Sequence, residues 1–505
     1  MKIKQNKGRL FYLWLLNLFI LFSSLIVFGG KGNFSVDSYG ILFSFVRGDK
    51  GLTTVSHLLS DFAFSGAFVN SILNRIGITL IPDSTIAIIL YAIFVSVFIS
   101  VTSYIVISHL YEQTKTNVLL IDFSLLIVVI NVALGSLLSF PECIINICLA
   151  IVFCLSAFII MVYFSGFIGS VISVLLLIIA AGFSNAFYPC FAVLSIILCI
   201  MTIVNSQEQK VSQLLKVFIR PAMIFIISGV LYAFIAISLT KIFNVGLSGR
   251  ANFHSVSDII HNIAFIISKQ KKFLCWPNQF NTIVMGILAV SSFIVWFIAW
   301  ATYVKRESTK GWIIAAATFC AYVCMFTTGI LSGQDSTRGM MSVFSMYPLL
   351  WIGTMVMATN YKKVFTGIGL TIISLVLLLN IAKINECETN QKKTNAADKL
   401  WAQSVIYYIE RYEQETGNHI QYIAFADDAE PIKQYYEKTY SDSPAMHCKW
   451  ARTSLINLNI ENHEYLEEDD MPELHASYFG ENNWDTFVAD EQLIFEDNIV
   501  YVCVY

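Results

Sequence analysis

The chain has 505 residues, of which 56% are hydrophobic and only 13% are charged. Soluble globular proteins carry about 25% charged residues, so this composition excludes an ordinary soluble protein, and repeated apolar runs of about 20 residues indicate a polytopic α-helical membrane protein. The net charge of −3 is unevenly divided, because residues 1–382 hold 23 Lys and Arg against 11 Asp and Glu, whereas residues 383–505 hold 9 against 24. We therefore predict a transmembrane domain over residues 1–382 and an acidic soluble α/β domain over residues 383–505.

The first predicted element is an apolar run from Leu10 to Phe28, which is long enough to cross a bilayer. Basic residues precede it, as in a signal peptide, but Gly-Gly-Lys-Gly follows it in place of a small-x-small cleavage site. We interpret this run as a retained anchor. Ten later apolar runs bring the prediction to about eleven spans, at 10–30, 84–108, 118–139, 144–161, 166–182, 188–204, 221–240, 282–303, 311–330, 343–359 and 364–382.

Basic residues in the loops predict the orientation of these spans. With the N-terminus in the cytoplasm, 13 Lys and Arg residues fall on short cytoplasmic segments, whereas those on the outer side lie mostly in two long loops, 31–83 and 241–281. Short loops determine orientation, so we expect a plasma-membrane protein with a cytoplasmic N-terminus and an extracytoplasmic C-terminal domain. An even number of spans would place that domain on the other side.

Both long outer loops contain amphipathic patterns. In the first, apolar residues recur at spacings of three and four between Val55 and Ile76, and in the second a stripe of isoleucines runs from Ile259 to Ile267. Helices of this kind lie in the membrane interface. Two interpretations stay open, namely lids that seal the helix bundle and elements that contact substrate.

The acidic C-terminal domain has its own succession of predicted elements. They are a helix over Asp398–Glu415, a strand over His419–Phe425, a helix over Pro431–Thr439 and strands over Leu455–Ile460 and Leu493–Tyr505. The three cysteines of this domain have no metal-like spacing, so neither a disulfide framework nor a metal site is predicted.

The predicted spans contain few ionisable residues. Asp122 and His109 lie near the cytoplasmic ends of their spans, and we interpret both as interfacial. A transporter is expected to place such groups near the bilayer centre, where their cost is tolerated for function. Here they are concentrated in the outer loops, which favours chemistry at the membrane surface.

Asp37, in Val36-Asp37-Ser38-Tyr39, is the leading catalytic candidate. It follows the first span by a few residues, so its carboxylate is expected at the outer membrane surface. Glycosyl transfer to a hydroxyl requires a base that accepts the hydroxyl proton, and a carboxylate at this position meets that need. The alternative is that Asp37 caps a helix that begins near Tyr39.

Arginines of the outer loops are candidates for stabilising a lipid-phosphate leaving group. Arg338 lies in the short loop between the ninth and tenth spans, Arg47 in the first long loop and Arg250 in the second. Alternatively, Arg338 pairs with Asp335 of the same loop or extends to the lipid headgroups.

Four acidic or imidazole side chains are candidates for binding the acceptor or the donor sugar. His57 and Asp61 lie four residues apart and can interact on one helix face. Glu142 lies in the short outer turn Phe140-Pro141-Glu142-Cys143, and Asp335 lies near Arg338. The alternative for His57 and Asp61 is the polar side of an interfacial helix.

These features resemble the GT-C class of polyprenyl-phosphate-sugar-dependent glycosyltransferases, and more narrowly the Gtr-type glucosyltransferases of bacterial O-antigens. The similarity lies in the acidic motif Val36-Asp37-Ser38-Tyr39 after the first span, about eleven spans, the later outer loop with Asp335 and Arg338, the C-terminal α/β domain and its segment 451–456. GT-C enzymes often carry two adjacent acids in the first loop, whereas here Ser38 follows the aspartate.

The resemblance implies a bacterial membrane enzyme that transfers a hexose, glucose, from a polyprenyl-phosphate carrier to a cell-surface or cell-wall glycan. Asp37 would be the base, and Arg338 or Arg47 would hold the lipid phosphate. The implied reaction inverts the sugar carbon and uses no nucleotide sugar, cofactor or metal. The expected partners are the lipid-linked donor, the glycan acceptor and the bilayer, with no nucleic acid.

Two alternatives from other classes stay open. A lipid-linked-glycan flippase or other transporter predicts polar, substrate-lined spans and internal repeats, and the sequence has neither. A non-catalytic membrane protein of surface polysaccharide assembly predicts that Asp37 can be replaced without effect.

Overall fold

The computed structural model describes residues 7–29, 35–46, 52–76, 84–110, 113–246, 256–269, 283–332, 338–358, 362–428, 444–460, 464–468, 478–480 and 482–505. The helices are α1 (Lys7–Leu25), α2 (Val36–Val46), α3 (Leu52–Ser60), α4 (Phe64–Arg75), α5 (Ser84–Ser108), α6 (Lys115–Val129), α7 (Val132–Leu138), α8 (Ile144–Tyr163), α9 (Phe167–Phe183), α10 (Tyr188–Asn205), α11 (Val211–Ile242), α12 (Val256–Ser268), α13 (Ile283–Arg306), α14 (Ser308–Met325), α15 (Thr327–Ser332), α16 (Met346–Met357), α17 (Lys362–Thr416), α18 (Lys449–Asn457) and α19 (Ala489–Gln492). Short 3₁₀ helices cover Ile26–Phe28, Pro141–Cys143, Asn185–Phe187, Arg338–Ser345 and Ala445–His447.

Seven of the described helices are long and apolar enough to cross a bilayer, and the bent pair α6 and α7 brings the number to eight. The pair bends by 43° at Asn131, whose side chain caps α7 by accepting from the Leu134 amide. Described helices overlap each of the eleven predicted segments. By length and composition, the described helices give at most eight spans, fewer than the eleven predicted. The helix α9, for example, is apolar but has only 17 residues.

Large apolar side chains cover the outside of the long helices. Phe19 on α1, Phe234 on α11 and Ile283 on α13 are 72%, 68% and 84% exposed. So many apolar side chains exposed to water would promote aggregation, whereas lipid tails are a favourable environment for them. The chain is therefore a polytopic helical membrane protein.

Asp122, predicted near the cytoplasmic end of its span, lies among three helices. Its side chain is fully buried. Asn17 on α1 donates from Nδ2 to Asp122 Oδ1 on α6 at 3.1 Å and to Ser100 Oγ on α5 at 2.9 Å. The position of Asp122 near the end of a span predicts its depth but not its direction, and it faces two neighbouring helices. These contacts join three helices.

The helix α17 is 55 residues long and runs through both the last predicted span and the first predicted helix of the C-terminal domain. At 1.5 Å per residue it extends about 80 Å. The polar stretch between the two predicted elements stays helical because its buried residues keep a helical spacing, as at Glu388, Gln391 and Asn395. The predicted boundary at residues 382 and 383 therefore falls inside one continuous helix.

A four-stranded sheet forms the centre of the C-terminal domain. Its strands are β1 (Tyr422–Asp427), β2 (Leu466–Glu467), β3 (Leu493–Glu496) and β4 (Ile499–Val504), in the order β2-β1-β4-β3. The central pair is parallel, with Tyr422 opposite Ile499, and β3 is antiparallel to β4. The second half of α17 and α18 share one hydrophobic core with the sheet. The strand predicted over His419–Phe425 is confirmed as β1, which begins three residues later, whereas the single strand predicted over Leu493–Tyr505 is two antiparallel strands, β3 and β4.

The strand predicted over Leu455–Ile460 is wrong, because Leu455–Asn457 form the last turn of α18 and the three residues after it are not in a strand. Their alternating apolar and polar pattern suggests a strand, but Ala451 and Leu455 are both fully buried four residues apart, as on one face of a helix. The helix predicted over Pro431–Thr439 lies outside the described residues. The helices predicted in the loops 31–83 and 241–281 are confirmed as α3, α4 and α12.

Candidate functional site

Asp37 lies in the first turn of α2, and its side chain is exposed. It is therefore not the residue that caps this helix, because α2 already begins at Val36. An acidic residue in the first turn is favourable there, since the helix dipole places partial positive charge at the N-terminus. The indole Nε1 of Trp450, on α18 of the C-terminal domain, donates to Asp37 Oδ1 at 3.2 Å.

The same helix is buried on one side in the C-terminal domain. Val36 and Tyr39 are 7% and 5% exposed and belong to the hydrophobic core formed by α17, α18 and the sheet. Burial, followed by the nearby Asp398, raises the pKa of Tyr39. The C-terminal domain, or tail (residues 383–505), therefore takes two side chains of the loop after α1 into its own core.

Asp398, on the part of α17 beyond the predicted span, binds the turn that precedes α18. Its two carboxylate oxygens accept from the backbone amides of Ala445 at 2.9 Å and Met446 at 3.2 Å. Burial raises the pKa of Asp398 to about 7, although these two hydrogen bonds act in the lowering direction. The contact fixes the 3₁₀ turn that leads directly into α18 and Trp450.

Ser38, the residue after Asp37, points to the membrane part of the chain. Its hydroxyl lies 3.0 Å from each carboxylate oxygen of Glu142 and donates to this side chain. Glu142 is 7% exposed, in the 3₁₀ turn that precedes α8. This contact joins the segment that carries Asp37 to the turn that carries Glu142, 104 positions later in the chain.

Asn146 extends this polar group by one turn along the same helix. It is 3% exposed, and among the described residues neither its amide nitrogen nor its amide oxygen has a hydrogen-bond partner. Gly66 on α4 lies against it, since a Cβ at this glycine would be 3.2 Å from Asn146 Nδ2. Glu142 and Asn146, four residues apart, share one helix face and offer an acceptor and an amide beside Ser38.

His57 and Asp61 form the predicted pair on α3 and the turn that follows it. Their Nε2 and Oδ2 atoms are 3.7 Å apart, with 56% and 21% of the side chains exposed. The turn continues through Phe62, whose φ of 62° lies in the left-handed region that disfavours a large side chain. No hydrogen bond or ion pair of the described chain links this pair to Asp37, so it forms a separate polar group on the first outer loop.

The structure does not describe the side chains of the predicted phosphate-binding arginines, or that of Asp335, which is predicted to bind sugar. Arg47, Arg250 and Asp335 lie outside the described residues. Arg338 begins the 3₁₀ helix Arg338–Ser345, and only its backbone is described. Within the described ranges, no group of three or more His, Cys, Asp or Glu side chains could hold a metal ion.

Two residues of the site, Trp450 and Asn146, escape analysis of the sequence. Trp450 lies 413 positions from Asp37, and no local pattern relates them. For Asn146 there is one signal, an amide four residues after an acid at the start of an apolar span.

No protein-family model, no curated protein and no solved structure matches this chain.

Proposed function

We propose that this chain is an integral-membrane glycosyltransferase with eleven spans that transfers a hexose from a polyprenyl-phosphate carrier to a cell-surface or cell-wall glycan. The sugar is glucose by resemblance to the Gtr-type enzymes. The observation that carries the proposal is the exposed Asp37 carboxylate, on a helix fixed on one side by the Ser38–Glu142 contact and on the other by the tail. A catalytic base has to be exposed to reach its substrate and held in position to act on it.

In the proposed reaction the acceptor hydroxyl oxygen attacks the anomeric carbon of the donor sugar while Asp37 takes the hydroxyl proton. The bond from that carbon to the lipid phosphate breaks, and its electron pair stays on the phosphate. Attack opposite the leaving group inverts the sugar carbon. The phosphate requires a cation, for which Arg338, Arg47 and Arg250 are the proposed partners.

Glu142 and Asn146 are the proposed contacts for sugar hydroxyls. A carboxylate accepts and an amide both donates and accepts, so together they match the mixed donors and acceptors of a sugar ring. The proposed topology has a cytoplasmic N-terminus in the plasma membrane and an extracytoplasmic tail, which places the lipid-linked donor and the glycan on the side of Asp37.

The test is Asp37→Asn in the natural host, with expression and membrane insertion verified. Asparagine keeps the shape of the side chain and can accept the hydrogen bond from Trp450, but its amide does not accept a proton near neutral pH. We expect loss of the side-branch hexose from the surface glycan. The matched control is Asp490→Asn, which changes another exposed aspartate in the first turn of a helix, α19, and should leave the glycan intact. A glycan that keeps its side branch in Asp37→Asn contradicts the proposal.

One observation favours the alternative of a lipid-linked-glycan flippase or transporter, namely the ionisable Asp122 inside the bundle. Intramembrane acids often belong to transport paths. Here, however, Asp122, Asn17 and Ser100 are at most 1% exposed, and Asn17 donates to both of the other side chains. This enclosed arrangement favours a contact that holds helices together, so transport remains the second candidate.

A further inference from the structure

An exposed tryptophan beside the proposed base stands out among the side chains of the tail. Trp450 is 65% exposed, whereas Trp401 and Trp484 of the same domain are 3% and 9% exposed. An exposed indole offers a flat apolar face and an N–H group that a ligand can contact. Its indole nitrogen is directed at Asp37, which sets the orientation of the ring.

The two helices that carry this pair meet closely. A Cβ at Gly40 on α2 would lie 4.0 Å from the backbone oxygen of Trp450, an ordinary contact distance, so α2 and α18 are adjacent at this point. Asp398 holds the turn before α18, and Val36 and Tyr39 hold α2. The aromatic ring and the carboxylate therefore stay adjacent on supports that are themselves fixed.

A pyranose ring has one face of C–H groups and a rim of hydroxyls. The face of an indole carries the negative part of the ring quadrupole, which attracts polarised C–H groups, and its large flat area is buried with little loss of rotamer freedom. The indole N–H occupies Asp37 Oδ1, and the carboxylate has a second oxygen that can accept from a sugar hydroxyl.

We infer that Trp450 and Asp37 together bind the acceptor, with one pyranose of a neutral glycan stacked on the indole and one of its hydroxyls on the Asp37 carboxylate. This inference rests on the proposed function and deepens it, because it assigns acceptor recognition to the C-terminal domain. Trp450 is then a specificity-determining residue supplied by the tail, and Asp37 receives the hydroxyl that the stacked ring presents.

The experiment uses the full chain in lipid nanodiscs and, as probe, surface polysaccharide extracted from a host strain that lacks this gene, which carries the unmodified acceptor. Binding is measured by biolayer interferometry. We expect Trp450→Ala to weaken binding about tenfold or more, and Trp450→Phe, which keeps an aromatic face, to weaken it about threefold or less. Trp312→Ala, which removes another tryptophan that is 60% exposed, is the matched control and should bind as the unaltered chain does.

Two results would overturn the inference. One is polysaccharide binding by folded Trp450→Ala equal to that of the unaltered chain, or no binding by either protein. The other is strong quenching of Trp450 fluorescence by brominated phospholipids in the nanodisc, measured as the difference from Trp450→Phe, which identifies the indole as a membrane anchor.

These outcomes are separable from those of the proposed function. If Trp450→Ala loses polysaccharide binding while Asp37→Asn keeps the side branch in cells, the acceptor site stands and the catalytic role of Asp37 fails. If Asp37→Asn loses the side branch while Trp450→Ala binds normally, the transferase stands and the acceptor site fails.

Discussion

Replacing Tyr39 with alanine would separate the helix α2 from the tail. Tyr39 is 5% exposed and belongs to the core of the C-terminal domain. Truncation of a buried aromatic side chain costs about 3–5 kcal/mol, and each 1.4 kcal/mol is a factor of ten in an equilibrium constant. Even the lower value weakens the docking of α2 by about 100-fold.

Hydrogen exchange of the α2 amides, in the full chain in nanodiscs, measures this docking because amides that open locally report the local free energy. We expect protection over Val36–Val46 to fall by about 100-fold in Tyr39→Ala and by less than tenfold in Tyr39→Phe, which keeps the ring. Tyr407→Ala removes a tyrosine on α17 that is 59% exposed and should leave α2 unchanged. A change of less than threefold in Tyr39→Ala would refute the conclusion that the tail holds α2.

Three further predictions concern packing and charge. A Cβ at Gly369 would lie 2.6 Å from the Trp351 ring, so Gly369→Ala should destabilise the purified protein by about 1–3 kcal/mol in thermal unfolding, whereas Gly367→Ala, which meets open space, should not. Arg452 is 1% exposed and forms an ion pair with Asp427. Arg452→Leu should therefore lower the stability of the tail by about 3 kcal/mol and speed its proteolysis, and an unchanged proteolysis rate would contradict this. Burial, followed by Arg452, lowers the pKa of His447 to about 4, so its contribution to stability is complete above about pH 6.5 and is lost as the pH falls through 4. Urea-dependent proteolysis at pH 4 and 7 should show that His447→Gln reduces this loss by up to about 3 kcal/mol, and equal pH dependence in both proteins would exclude it.

Local periodicity in the sequence predicts most of the helices because lipid and core contacts impose it on neighbouring residues. The same periodicity misplaces α18, where Leu455 and Ile456 are both buried beside polar neighbours and the short stretch fits a strand equally well. The sequence also does not predict that α17 is continuous, because the polar residues in its middle are buried by contacts with elements that are distant in the chain.

Local sequence patterns do not predict which residues come together in the candidate site. Asp37 can be singled out from its position after the first span, but its neighbours come from elsewhere. Ser38 meets Glu142 across 104 positions, and Trp450 meets Asp37 across 413. Such contacts depend on how whole helices pack, and a single sequence carries no trace of them.

The sharing of Val36 and Tyr39 between loop and tail has a consequence for the order of biogenesis. A ribosome makes these two residues more than 350 positions before the strands that enclose them. The core of the C-terminal domain can therefore close only after these strands have been made, later than the helices of the bundle, and α2 waits uncovered until then. A fragment that begins at residue 383 would lack two side chains of its own core, so this domain depends on α2 to complete its fold.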